Sequence, residues 1–149
     1  MAGKTLIATY TYSGTTKRAA DQLAAALNAD QYQIEVPAGT FTADMYETDA
    51  IAKKQIADNN YPDLVNALPD LSQHDLVLVG SPVWSGRPAS PVHTFLARLQ
   101  DFPGKVATFY TDVGNAGDYE KVFSNWAGKL NVVGAHEGTN GLTKWAQNL

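Results

Sequence analysis

The stretch KTLIATYTYSGTTKRAADQLA, residues 4–24, decides the fold. It passes from an apolar segment, Lys4 to Tyr10, through hydroxyls gathered around Gly14, into an alanine-rich segment with helical spacing. Over residues 15–29, Ala19, Leu23 and Leu27 share one stripe, Ala20 and Ala24 lie beside it, and Asp21 and Gln22 stay polar. One face of that helix can lie on a sheet.

Four more segments repeat the apolar part of this pattern. HDLVLVG (74–80), KVATFYT (105–111) and NVVGA (131–135) are short apolar runs, and YQIEV (32–36) is a weaker one suited to a sheet edge. HDLVLVG is continuous rather than alternating, as expected of a strand covered on both faces.

Helical spacing fills the gaps. Residues 44–58 read as a more polar helix, and SPVHTFLARLQDF (90–102) as one capped by Ser90, with Pro91 at its first position and Val92, Phe95, Leu96 and Leu99 on one side. DYEKVFSNWAGK (118–129) packs through Val122, Phe123 and Trp126, and the tail LTKWAQNL adds a short last helix. Strand and helix thus alternate along the chain, which predicts a parallel sheet with helices on both faces and right-handed crossovers. The ligand of such a sheet sits beyond the carboxyl ends of the strands, where strand order reverses.

The totals narrow the chemistry. At 149 residues, 44% hydrophobic and 17% charged, the chain is expected to form one globular domain over residues 1–149. A net charge of −4, offset locally by the basic pair Lys17 and Arg18, argues against nucleic acid as a partner. The absence of cysteine removes disulfides, thiolate metal sites and cysteine nucleophiles, so redox chemistry requires a bound cofactor. The opening MAGKTLIATY lacks a signal-peptide core and no stretch is long and apolar enough to span a bilayer, so no membrane association and a cytoplasmic location are expected.

Three loops at the carboxyl edge carry the candidate site. Thr11, Ser13, Thr15 and Thr16 around Gly14 place neutral hydroxyls and free N–H groups at a helix start, a combination that holds a phosphate through hydrogen bonds and the helix dipole. It matches neither the Walker pattern nor GxGxxG, and taken alone it reads equally as a hydroxyl-rich turn with an ordinary cap. In GSPVWSGRPASP (80–91), prolines stiffen the loop, Gly80 and Gly86 permit bends, and Trp84 offers a stacking surface or folds down over its own domain. In TDVGNAGDYEK (111–121), Gly114, Asn115 and Gly117 can turn backbone N–H groups toward a flat polar edge, and Tyr119 can supply a second aromatic face; Asp112 could serve as a catalytic carboxylate but better suits a turn or cap.

Together the loops resemble the flavodoxin family, in particular its short-chain bacterial members. The family's Thr/Ser-x-Thr/Ser-Gly-x-Thr pattern stands here as Thr11, Tyr12, Ser13, Gly14, Thr15 and Thr16, and LVLVGSPVWSGRPASPVHTFL and DFPGKVATFYTD resemble its third strand with the following loop and helix, and its fourth strand. The resemblance implies a three-layer α/β/α sandwich on a five-stranded parallel sheet of order 2-1-3-4-5. It also implies flavin mononucleotide (FMN) as cofactor. By the same resemblance, Thr11 to Thr16 hold the phosphate, Ser81, Pro82, Val83, Trp84 and Gly86 line the isoalloxazine, and Thr111, Asp112, Gly114, Asn115 and Gly117, with Tyr119, meet its pyrimidine edge. The implied function is low-potential electron transfer between a reductase and an acceptor protein, by a monomer or weak dimer. Two departures stand out: position 15 is Thr where the family often has Asn, and the second sandwiching aromatic is not obvious, since Tyr119 lies late in its loop.

An FMN-dependent quinone or NAD(P)H reductase of the same fold is the nearest alternative, and a flavodoxin-like binding module without flavin is one of another class. A phosphoryl receiver needs acidic residues after the first strand, where Thr and Tyr stand, and an Asp at the end of the third, where Gly80 and Ser81 stand. A phosphatase of similar topology needs a cysteine. A serine hydrolase built on Ser81 or Ser85 lacks the G-x-S-x-G elbow, and His74, His93 and His136 each have ordinary structural positions.

Overall fold

A computed structural model describes residues 4–12, 14–111 and 116–149. Its strands are β1 (Lys4–Thr9), β2 (Asp30–Gln33), β3 (His74–Trp84), β4 (Arg87–Pro88), β5 (Lys105–Thr111) and β6 (Asn131–Glu137). Its helices are α1 (Thr15–Leu27), α2 (Met45–Ala57), α3 (Ser90–Arg98), α4 (Tyr119–Ala127) and α5 (Leu142–Gln147). The sheet order is β2-β1-β3-β5-β6, all parallel. This is the expected 2-1-3-4-5 order once the two-residue β4, which pairs only with β3, is set aside.

The apolar runs are continuous because both sheet faces are covered. Leu6 and Ala8 join one core with Val77, Val79, Phe95 and Phe123, whereas Ile7 joins the other with Leu23, Leu78, Phe109 and Leu142. Successive strand residues point to opposite faces, so α2, α3 and α4 cover one side and α1 and α5 the other. Each fully buried Leu or Phe contributes about 1.5–3 kcal/mol.

Several boundaries differ from the sequence-based expectation. β2 lies at Asp30–Gln33 rather than 32–36, set by the pairing of Leu6 with Asp30 through Thr9 with Gln33. Ser90 is the first residue of α3 rather than its cap: Ala89 takes the cap position, and the Ser90 hydroxyl donates to Gln55 Oε1 at 2.6 Å. Most consequential, β3 does not end at Gly80 but continues to Trp84 and folds back as β4, with Val83 opposite Pro88 and Trp84 opposite Arg87. The two residues between, Ser85 (φ 52°) and Gly86 (φ 76°), both have positive φ, as a type I′ hairpin turn requires. The expected loop is therefore an extension of the sheet.

β1 has β2 on one side and β3 on the other, so chain direction across the sheet reverses between β1 and β3. The segments leaving those two strands flank the crevice where a ligand of such a sheet binds.

Candidate functional site

The chain leaving β1 is bent back on itself: the Gly14 N–H donates to Thr11 Oγ1 at 3.0 Å, and Gly14 stands at φ 98° as the residue before α1. Among the described residues no side-chain hydrogen bond caps α1, and its first turn holds no acidic residue. That contrasts with α2, where Asp44 Oδ1 accepts from the N–H groups of Tyr46 (2.8 Å) and Glu47 (3.3 Å). No acidic residue of its own first turn compensates the positive end of α1's dipole, which suits an anion. Thr16, buried in the first turn, ties this end to β5 by a 2.9 Å hydrogen bond between its Oγ1 and Thr111 Oγ1. Arg18 folds toward the same corner, its Nη2 3.4 Å from Thr15 Oγ1, while Lys17 is held by Asp21 at 2.9 Å.

Beside this corner opens a slot of about 540 Å³, in the range of small-ligand sites. Tyr12 and Thr15 from the β1–α1 turn, Pro82 to Ser85 from the β3 hairpin, and Thr111 from the end of β5 line one part of it. Met45, Tyr46 and Asp49 of α2 line the rest. Trp84 is only 4% exposed: Tyr10, Tyr12 and Phe41 meet it edge-on at centroid distances of 5.6, 5.8 and 5.1 Å. The indole is therefore both core and slot wall, and its orientation is fixed by three rings and a hairpin. Burial, and then neighbouring Tyr12, push the Tyr10 hydroxyl well above the usual phenol range.

α2 is fastened to both sides of the slot. The Tyr12 hydroxyl donates to Thr42 O at 2.6 Å just ahead of α2, and Ser85 Oγ donates to Asp49 Oδ1 at 2.5 Å. Asp49 also pairs with Lys53 at 3.0 Å. Burial alone would raise the Asp49 carboxyl, but the Ser85 hydroxyl and Lys53 ammonium outweigh it and hold the group below the usual carboxylate range. A negative charge consequently stands at the slot wall at neutral pH.

Of the residues expected at the site, Tyr12, Thr15, Pro82, Val83, Trp84 and Thr111 meet in the slot, with Gly14 and Thr16 at the adjoining start of α1. Thr11 turns to a smaller cavity on the β2 side, lined also by Lys17 and Gln31. Ser81 is fully buried; its hydroxyl accepts the Ala89 N–H at 3.0 Å and donates to Pro82 O at 2.8 Å, holding the root of the hairpin. Gly86 and Gly117 pack backbone to backbone, joining the hairpin to the segment before α4. Ser13, Asp112, Gly114 and Asn115 lie outside the described residues.

Tyr119 is a correction. It is fully buried, stacked on Tyr110 at 4.1 Å, with its hydroxyl hydrogen-bonded to Thr108 Oγ1 at 2.8 Å, so it has no face to offer a ligand. Tyr119 begins α4 and turns inward on the core side of the helix together with Phe123. The contributions of Met45, Tyr46 and Asp49 escape a reading of the sequence. Their one signal is a Met-Tyr pair opening an otherwise polar helix directly after a capping Asp. Among the described residues no group of His, Asp and Glu is placed to hold a metal ion, and no helix is long and apolar enough to cross a membrane.

The family model for flavodoxin matches residues 4–149. The chain belongs to the flavodoxin family. Its fold is closely matched by a flavoprotein from Lactobacillus acidophilus solved in complex with FMN: 38% identity, TM-score 0.90, covering 97% of this chain and 99% of that one. The apo form of the Lactobacillus acidophilus flavoprotein, solved by NMR, is 40% identical with a TM-score of 0.78, covering 97% and 98% of the two chains. Two-electron reduced Megasphaera elsdenii flavodoxin shares the fold at 16% identity and TM-score 0.51, covering 91% and 86%. A search of curated proteins finds no match. Within this flavodoxin-family chain, the slot lies where the β1–α1 turn, the β3 hairpin and the end of β5 meet.

Proposed function

We propose that this flavodoxin-family protein binds FMN and serves as a low-potential electron carrier between a reductase and an acceptor protein. The observation that carries the reading is the two-ended slot: an α1 start with no acidic residue in its first turn and, among the described residues, no side-chain cap at one end, and a rigidly held indole in the wall at the other. A phosphorylated group fits the first end and a flat aromatic ring the second. The 38%-identical Lactobacillus acidophilus flavoprotein in complex with FMN supports the assignment.

When bound, FMN supplies one- and two-electron redox chemistry. The protein's part is positional and electrostatic. Gly14, Thr15 and Thr16 present the α1 start to the phosphate, Thr111 anchors that corner through Thr16, and Trp84 with Pro82 lines the ring. The Asp49 carboxylate and the net charge of −4 oppose added negative charge on the ring, which lowers its reduction potential.

Titration of FMN into the purified full chain, followed by flavin fluorescence, tests binding. Anaerobic reductive titration tests the carrier role: the bound flavin is expected to have a lower midpoint potential than free FMN, and Asp49→Asn to raise it. Steady turnover of NADPH and a quinone without any partner reductase would instead assign the protein as a reductase, and failure to bind FMN would remove the redox reading.

A further inference from the structure

We propose that Tyr46, presented by the first turn of α2, forms the outer wall of the slot and stacks on the flavin face turned away from Trp84. The inference rests on the reading that the slot takes FMN. It places the second aromatic on a helix between β2 and β3 rather than on the segment after β5.

The segment after β5 has no aromatic to give. Residues 112–115 are Asp, Val, Gly and Asn, Tyr119 is fully buried, and Tyr110 at the end of β5 is 4% exposed with its hydroxyl donated to Glu120. Tyr12 lines the slot, but its ring stands at 88° to the Trp84 indole and its hydroxyl is committed to Thr42 O. A ring perpendicular to the indole cannot be the parallel wall across a planar ligand. Tyr46 remains.

Its placement is built rather than incidental. Asp44 fixes the N-terminus of α2 through the Tyr46 N–H itself, and Asp49, one turn further on the same helical face, is bonded to Ser85, the neighbour of Trp84 in the hairpin. The face of α2 that carries Tyr46 is therefore the face held against the indole hairpin. Yet Tyr46 is 90% exposed, and Met45 beside it is 39% exposed. Among the described residues the large exposed apolar side chains are these two, Val65 and Val133, so half of them line one slot. A solvated phenol at the mouth of an apolar slot gains burial when a planar ring enters, and an aromatic contact of this kind is lost on truncation to alanine.

FMN titration of the full-length protein, read by flavin fluorescence, tests the assignment. Tyr46→Ala is expected to weaken FMN about tenfold, Tyr46→Phe to stay within about twofold of the wild type, and competition by inorganic phosphate to be unchanged in both, because only the ring contact is altered. Val133→Ala, equally an exposed apolar residue but on β6, is expected to leave affinity unchanged. Wild-type affinity in Tyr46→Ala overturns the inference while leaving the FMN reading intact. So does a loss in Tyr46→Phe as large as in Tyr46→Ala. A wild-type chain that does not bind FMN removes both.

Discussion

Replacing Gly117 by alanine tests whether the hairpin of β3 and the segment before α4 are assembled as one unit. Gly117 has φ 56°, and a Cβ built there lies 2.8 Å from the Gly86 Cα. Two costs add: holding alanine in the left-handed region takes about 1–2 kcal/mol, and the clash, being with backbone rather than a flexible side chain, takes about 1–3 kcal/mol as overpacking does. The expected destabilisation is therefore roughly 2–5 kcal/mol, or a Tm lower by roughly 4–20 °C for a chain of this size. Relief of the clash must displace the hairpin tip, so FMN affinity is expected to fall with stability. Calorimetry and FMN titration on the same preparations measure both. Gly39→Ala supplies the comparison, because Gly39 also has positive φ (87°) but nothing within 4 Å of the built Cβ, leaving the strain alone at about 1–2 kcal/mol. Should Gly117→Ala lose no more stability than Gly39→Ala, with FMN affinity unaltered, the two segments are not coupled through this contact.

Tyr119→Phe removes the fully buried hydroxyl bonded to Thr108 and is expected to cost about 1–2 kcal/mol in urea unfolding without changing FMN affinity, which distinguishes a core role from a ring wall. Thr16→Val breaks the 2.9 Å link to Thr111, leaving a partly buried hydroxyl without that partner; a loss of about 1–2 kcal/mol in stability, accompanied by weaker FMN binding, is expected from the same two measurements. Asp49→Asn probes the acid limb. Because the folded-state carboxyl is depressed, its charge stabilises the fold above the unfolded carboxylate pKa, and that contribution is lost as pH falls through the folded value. The variant is thus expected to be less stable than the wild type at neutral pH, with the gap closing in the acidic carboxylate range of a pH-dependent unfolding series.

The order of elements was legible because it depends on local patterns that tertiary contacts reinforce. The run HDLVLVG needs apolar partners on both faces and finds Leu76 and Leu78 in one core and Val77 and Val79 in the other. The hydroxyl turn around Gly14 was legible for the same reason: an αL glycine before an uncapped helix is a local device. What the sequence concealed depended on contacts between distant segments. β3 continues past Gly80 only because Ser85 and Gly86 fold Arg87 and Pro88 back onto Trp84 and Val83. Ser90 leaves its capping role because Gln55, 35 residues earlier, accepts its hydroxyl. Tyr119 turns inward because Thr108 and Tyr110 supply a partner and a ring to stack on. The slot residues of α2 are set by bonds to Thr42 and Ser85, and neither bond is visible in helical periodicity.

The hairpin that prolongs β3 has one more consequence. A ligand wall hung on a loop relaxes whenever the charge beside it changes, and each relaxation adds to the work of moving an electron. Here the indole sits on a strand that shares its ladder with β5 as far as Pro82 and is then closed by its own antiparallel pair, so the wall is as stiff as the sheet. In the carrier role proposed above, that stiffness would keep reorganisation small and leave exchange rates to distance and driving force.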